Sequence, residues 1–181
     1  MAGILKVDKY QDFNGNDIMT SDGSGNITIN NAALKMTPAF EAKMSADQTL
    51  SDDVLTKVQF DTERFDTDSC YDATTNYRFT PTTAGKYYVY STVRINSSSN
   101  STVGNIDLII YKNGSSYSSS GINFSANYGN EHTPTVTNVI DFNGSSDYVE
   151  IFGYLDITSG TPTFGGSQYK PCSFGAFKII T

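Results

Sequence analysis

The residues best equipped for chemistry in this sequence are a run of acids, a lone histidine and two cysteines. Asp61, Glu63, Asp66, Asp68 and Asp72 stand close together in "DTERFDTDSCYD", and hard cations such as calcium are held by oxygen ligands of this kind. The spacing defeats that use. An EF-hand reading of "DTDSCYDATTNY" puts Tyr71 at the position that needs glycine and Tyr77 at the position that needs glutamate. A solvated acidic loop is the expectation, and no metal site is assigned. His132 has no second histidine to pair with and sits in the turn-like "NYGNEHTP", so a loop position is expected rather than a general base. Cys70 and Cys172 form neither a disulfide framework nor a zinc-ligand spacing; two small buried thiols are expected, with a bridge between them left open. The sequence holds no Gly-x-Ser-x-Gly elbow, no phosphate-cradling glycine loop and no convincing pair of glycosidase carboxylates. No catalytic, cofactor-binding or metal-binding residue is expected, and the chain reads as a non-enzyme.

Charge narrows the partners. The 181 residues carry 19 acids against 12 bases, a formal charge of −7 that repels phosphate backbones and anionic lipid. Nucleic acid and membrane surfaces are therefore excluded as partners. A chain of this length is expected to form one domain with a short appendage and to bury a core without staples. The opening "MAGILKVDKYQDFNGNDI" lacks an apolar core of signal-peptide length, and no run approaches a membrane span, so synthesis without export is expected. Asn-x-Ser/Thr triplets at Asn26, Asn96, Asn100, Asn113, Asn123 and Asn143 follow from a turn-rich composition rather than from glycosylation.

The elements that must position any site are strands. Short runs rich in Tyr, Val, Ile, Thr and Phe recur between Gly/Asn/Ser clusters, the signature of an all-β sandwich or barrel. Strands are expected at "PAFEAKM", "VLTKVQF", "YRFTP", "GKYYVYSTVRI", "NIDLIIYK", "SSGINFS", "TVTNVIDF", "DYVEIFGYLDI" and "SFGAFKII". In "GKYYVYSTVRI", Tyr87, Val89, Val93 and Ile95 oppose Tyr88, Tyr90, Thr92 and Arg94; in "DYVEIFGYLDI", Val149, Ile151, Leu155 and Ile157 oppose Tyr148, Glu150, Phe152, Tyr154 and Asp156. One face of each is core. The other faces bring Tyr88, Tyr90, Phe152 and Tyr154 onto what read as neighbouring strands, and clustered outward rings mark a partner surface. Residues 1–35 differ: "GILKV" reads as a short strand, and "DIMTSDGSGNITIN" as a hairpin turning at Asp22-Gly23-Ser24-Gly25. A lone hairpin is marginal in water, so this arm is expected to lean on other chains or on the body.

From Pro38 to Thr181 the sequence resembles the globular heads of complement C1q and its relatives in the tumour-necrosis-factor superfamily. The resemblance rests on "PAFEAKM", on "FDTERFDTDSCYDATTNYRFTP", on "PTTAGKYYVY" with Thr83 and Ala84 adding one residue, on the "YKNG" turn of Tyr111 to Gly114, and on the closing "CSFGAFKI". It implies an all-β, ten-stranded C1q/TNF-like jelly-roll sandwich over residues 36–181 that assembles as a homotrimer, with Tyr88, Tyr90, Phe152 and Tyr154 at the trimer interface. The sequence departs in its Ser- and Asn-rich loops and in having no collagen Gly-x-y run. Some relatives hold calcium near the trimer axis, but no residue here matches such a site, and no cofactor is implied. The opening segment is similar to N-terminal attachment segments of tailed-phage appendage proteins, notably from marine phages. That likeness implies a virion protein assembled in the host cytoplasm, either capsid decoration or tail fibre, with residues 1–35 joined to other virion proteins and the knob steadying the particle or touching a host glycan or receptor. A secreted C1q-like glycan- or receptor-binding module is the alternative, and a polysaccharide hydrolase a weaker third. Counting strands places the loops near residues 96–104, 127–134 and 158–171 at one end, where Asn100, Tyr128, His132 and Tyr169 are the candidate contacts.

Overall fold

The computed structural model describes residues 7–30, 36–124, 129–165 and 172–180. Among them every regular element is a β-strand. The chain divides into two compact units, Met1–Thr37 and Pro38–Thr181.

In the first unit β1 (Lys9–Gln11), β2 (Asp17–Ser21) and β3 (Ile27–Ile29) form an antiparallel meander in that order. The Asp12 carboxylate accepts the N–H groups of Asn14 and Asn16 and the side-chain amide of Asn16, and Asp22 repeats the pattern with Ser24 and Asn26. These turns satisfy their own backbone with one aspartate each. The hairpin expected at Asp22–Gly25 is β2–β3, but it is part of a three-stranded sheet. Of the expected "GILKV" strand, Val7 is described and lies outside any strand, and the rest falls outside the described residues.

The second unit contains β4 (Ala39–Lys43), β5 (Gln48–Thr49), β6 (Thr56–Lys57), β7 (Thr62–Asp66), β8 (Tyr71–Asp72), β9 (Arg78–Phe79), β10 (Gly85–Thr92) and β11 (Arg94–Ser97). It continues with β12 (Val103–Lys112), β13 (Ser115–Asn123), β14 (Glu131–His132), β15 (Thr135–Phe142), β16 (Val149–Ile157), β17 (Pro162–Gly165) and β18 (Ser173–Ile180). One sheet runs β15-β10-β18-β4-β7 and the other β13-β12-β16-β9-β8, with β6 also paired to β16. A short sheet, β14-β11-β17-β5, prolongs the first, because β11 resumes β10 and β15 resumes β14. "GKYYVYSTVRI" is thus two strands. Val93 divides them, its N–H donating to the Pro134 carbonyl.

The core faces lie where alternation puts them. Tyr87, Val89, Val93, Ile95, Val149, Ile151, Leu155 and Ile157 are all buried. Phe40 stacks on Tyr71 at 4.6 Å and on Phe79 at 4.5 Å, and meets Phe174 edge-on at 4.9 Å. Burying each such ring contributes roughly 2–3 kcal/mol. The "PTTAG" corner leads directly into this cluster: Tyr87 donates its hydroxyl back to the Thr83 carbonyl at 2.7 Å, pinning the corner to the strand that follows. Gly144, at φ 71°, lies against this corner so closely that a Cβ there would sit 2.2 Å from the Ala84 nitrogen. Cys70 and Cys172 are buried free thiols, each pushed up in pKa chiefly by that burial. They are not bridged.

Candidate functional site

The four outward rings do not form one surface. Tyr88 and Tyr90 belong to β10 in one sheet, and Phe152 and Tyr154 to β16 in the other. Each pair points away from the core, so the two pairs face opposite sides of the sandwich. The expectation that they share neighbouring strands is corrected: period-2 alternation tells a strand's two faces apart but not the sheet it joins.

The β10 face is the apolar one. Tyr88 lies directly across from Val139 on β15 and Phe177 on β18, with its ring 5.5 Å from that of Phe177 and 6.1 Å from that of Tyr90. Around this row Val139 is 46% exposed, Phe65 49% and Ile179 38%. Tyr90 lies across β18 because Gly175 leaves room; a Cβ there would sit 2.4 Å from the Tyr90 ring. Its hydroxyl donates to Glu41 Oε2 at 2.5 Å, and Arg64 pairs with the other oxygen of the same carboxylate. Burial, then the Glu41 bond, raises the Tyr90 pKa. An apolar row thus ends in a satisfied polar cluster, the arrangement expected of a surface that another protein covers.

The outward rings of β16 are half-buried and have partners within their own chain. Phe152 contacts Tyr111 at 4.5 Å and lies 5.6 Å below the Lys57 ammonium. Tyr154 donates to Asp53, a bond that pushes its pKa up to about 12. Beside them Glu150, only 4% exposed, accepts from Lys57 at 2.6 Å and from Arg78 at 2.7 Å, while the Arg78 guanidinium covers the Tyr148 ring at 3.9 Å. Sequence reasoning missed this triad because its members are far apart in the chain.

The described parts of the three loops expected at one end are joined by hydrogen bonds through residues 98–102. Asn130 donates its side-chain amide to Asn100 at 3.2 Å, the Thr102 N–H donates to Gly129, and the Ser98 N–H donates to Thr161. His132 sits in β14, half-buried and paired with Ile95 of β11. Tyr128 and Tyr169 lie outside the described residues.

The acidic cluster is only partly a loop, since Thr62–Asp66 is the edge strand β7. Three of its carboxylates serve the backbone. Asp61 accepts from the Ser45 N–H and hydroxyl, and Asp66 from the N–H groups of Tyr71 and Asp68. Asp72 accepts from the N–H groups of Thr74, Thr75 and Asn76 and from the Asn76 amide, and these bonds, the Thr75 N–H first, hold its pKa well below the usual carboxylate range. Among the described residues no group of three or more His, Cys, Asp or Glu is placed to hold a metal. Asp72→Ala is expected to lose about 1–2 kcal/mol of stability. Because the folded pKa is depressed, that contribution is present above the ordinary aspartate value and fades as pH falls below it. Urea midpoints of the two proteins should therefore converge on acidification; a constant gap would assign the loss to something other than the carboxylate.

No protein-family model matches the sequence, and no curated protein is similar to it. Solved structures are similar in fold. The globular domain of zebrafish complement 1qA protein superposes with a TM-score of 0.55 at 16% identity, covering 79% of this chain and 98% of its own. Murine APRIL gives a TM-score of 0.57 at 10% identity, covering 78% of this chain and 98% of its own. The chain has a C1q/TNF-like jelly-roll fold.

Proposed function

We propose that this chain is a non-enzymatic structural and adhesive protein whose second unit forms the knob of a homotrimer, joined through the outer face of the β15-β10-β18-β4-β7 sheet. The observation that carries this is the row of Val139, Tyr88 and Phe177 flanked by exposed Phe65 and Ile179, an apolar surface that a lone subunit leaves in water. Three-fold association is supported by the C1q/TNF-like fold and by the closed symmetry that soluble oligomers adopt. Phe152 and Tyr154 are assigned no part, since they lie on the other sheet and each has a partner within its own chain.

The trimer serves as a tailed-phage virion component, with residues 1–35 fixed to capsid or tail proteins. The joined loops carrying Asn100, beside His132 at the end of β14, face a host glycan or receptor, a role that small polar residues suit. The likeness of the opening sequence to phage attachment segments supports this reading. The alternative, a secreted glycan- or receptor-binding module, has the similarity to the complement 1qA globular domain in its favour. Mass spectrometry of purified particles tests the choice. Stoichiometric amounts of this chain in particles are expected; finding it only in the surrounding medium would overturn the virion reading. Light scattering of the purified chain should give three times the monomer mass, and a monomer at micromolar concentration would remove the self-association.

A further inference from the structure

The first unit carries both halves of a contact that it does not make. Phe13, at the tip of the β1–β2 turn, is 106% exposed. On the same unit Val7, Tyr10, Met19 and Ile27 line an apolar groove of about 120 Å³. Its floor is set by register: Tyr10 lies opposite Met19, which lies opposite Ile29, and Ser21 opposite Ile27, so one face of the meander is apolar. The opposite face carries Thr20 and Thr28. Val7, Tyr10 and Ile27 leave this apolar face in water, 48%, 53% and 64% exposed, and a contiguous exposed apolar patch marks a contact surface. An apolar cavity of roughly 150 Å³ accepts a benzene ring, so a groove of this size suits a phenyl side chain.

We infer that Phe13 of one copy seats in the Val7–Tyr10–Met19–Ile27 groove of the next, making the arm a self-associating collar rather than three independent tethers. The contact is heterologous: knob and hole are different surfaces of one unit, and such contacts close into rings when the rotation allows. The occupant is a second copy because the chain itself supplies the matching ring. The tether is also short. Residues 30–37 span at most roughly 30 Å, so trimerisation of the second unit raises the local concentration of arms toward the millimolar range. The inference rests on the proposed self-association of copies.

The test replaces Phe13→p-benzoylphenylalanine in the full chain, mixes unlabelled with nitrogen-15-labelled protein, and maps photo-cross-links by mass spectrometry. Mixed-isotope links from position 13 to residues 7–27 are expected, and adding Met19→Asp should lower their yield about five-fold or more, the effect of losing roughly 1 kcal/mol. Links that are purely intrachain, or that fall outside the arm, in a sample that light scattering shows to be trimeric would overturn the collar and leave the knob reading standing. A monomer by light scattering would overturn both.

Discussion

Tyr88→Asp is expected to turn the assembly into monomers at micromolar concentration while leaving each subunit folded. Tyr88 sits mid-row between Val139 and Phe177 and points away from the core, so the substitution removes no core packing. Within the subunit its cost is the poor strand preference of aspartate, about 1 kcal/mol, together with the ring contacts to Phe177 and Tyr90. Across an interface the cost is much larger. A carboxylate would be buried against apolar side chains of a neighbouring copy with no cation opposite, and central aromatic truncations alone commonly cost 2 kcal/mol or more. In a three-fold assembly that penalty is incurred at every contact. Tyr88→Phe, which keeps the ring, should remain trimeric. Phe152→Asp is the informative control: it loses the Tyr111 and Lys57 contacts and some stability, yet should leave the oligomer intact because it lies on the other sheet. Light scattering reads the mass, and circular dichroism with a thermal scan reads the fold. A Tyr88→Asp trimer would show that this face is not the interface, and dissociation by Phe152→Asp alone would move the interface to the β16 side.

What the sequence made legible and what it hid follow one physical division. Alternation along a strand is local, so the buried set Tyr87, Val89, Ile151 and Leu155 and the outward set Tyr88, Tyr90, Phe152 and Tyr154 separate on inspection. Sheet membership is not local. β10 and β16 are joined by a long stretch of chain, and nothing in either strand states which sheet it enters. Strand β7 was hidden for another reason. As an edge strand it shows solvent Glu63, Arg64 and Phe65 in succession, which erases the alternation and makes it resemble an acidic loop. The extra turn of the arm did carry a signal. Asp12–Asn16 and Asp22–Asn26 share the pattern Asp-x-x-Gly-Asn, and both fold into the same side-chain-capped turn. The Glu150–Lys57–Arg78 triad carried none, because a buried acid with distant partners looks like any strand glutamate.

Lys178→Met is expected to stabilise the second unit. On β18 the residues Phe174, Ala176 and Lys178 follow one another on the core side, and Lys178 is 2% exposed. Among the described residues none accepts a hydrogen bond from its Nζ. The strand cannot turn to release it: β18 is held between β10 and β4, with Lys178 opposite Tyr87 and its N–H donating to the Pro38 carbonyl. A buried ammonium without an acceptor forfeits its hydration and gains nothing in exchange, a cost of several kcal/mol before relaxation. Methionine matches the length and flexibility of the stem and carries no polar hydrogens, so it fills the same space with little strain. A gain of about 2 kcal/mol in unfolding free energy is expected, raising the melting temperature by about 5 °C for a unit of this size. Lys178→Gln, which removes the charge but keeps polar groups in the core, should gain less. Urea titration with an unchanged slope reads the effect directly. A loss of stability in Lys178→Met would mean that the ammonium finds an acceptor in solution.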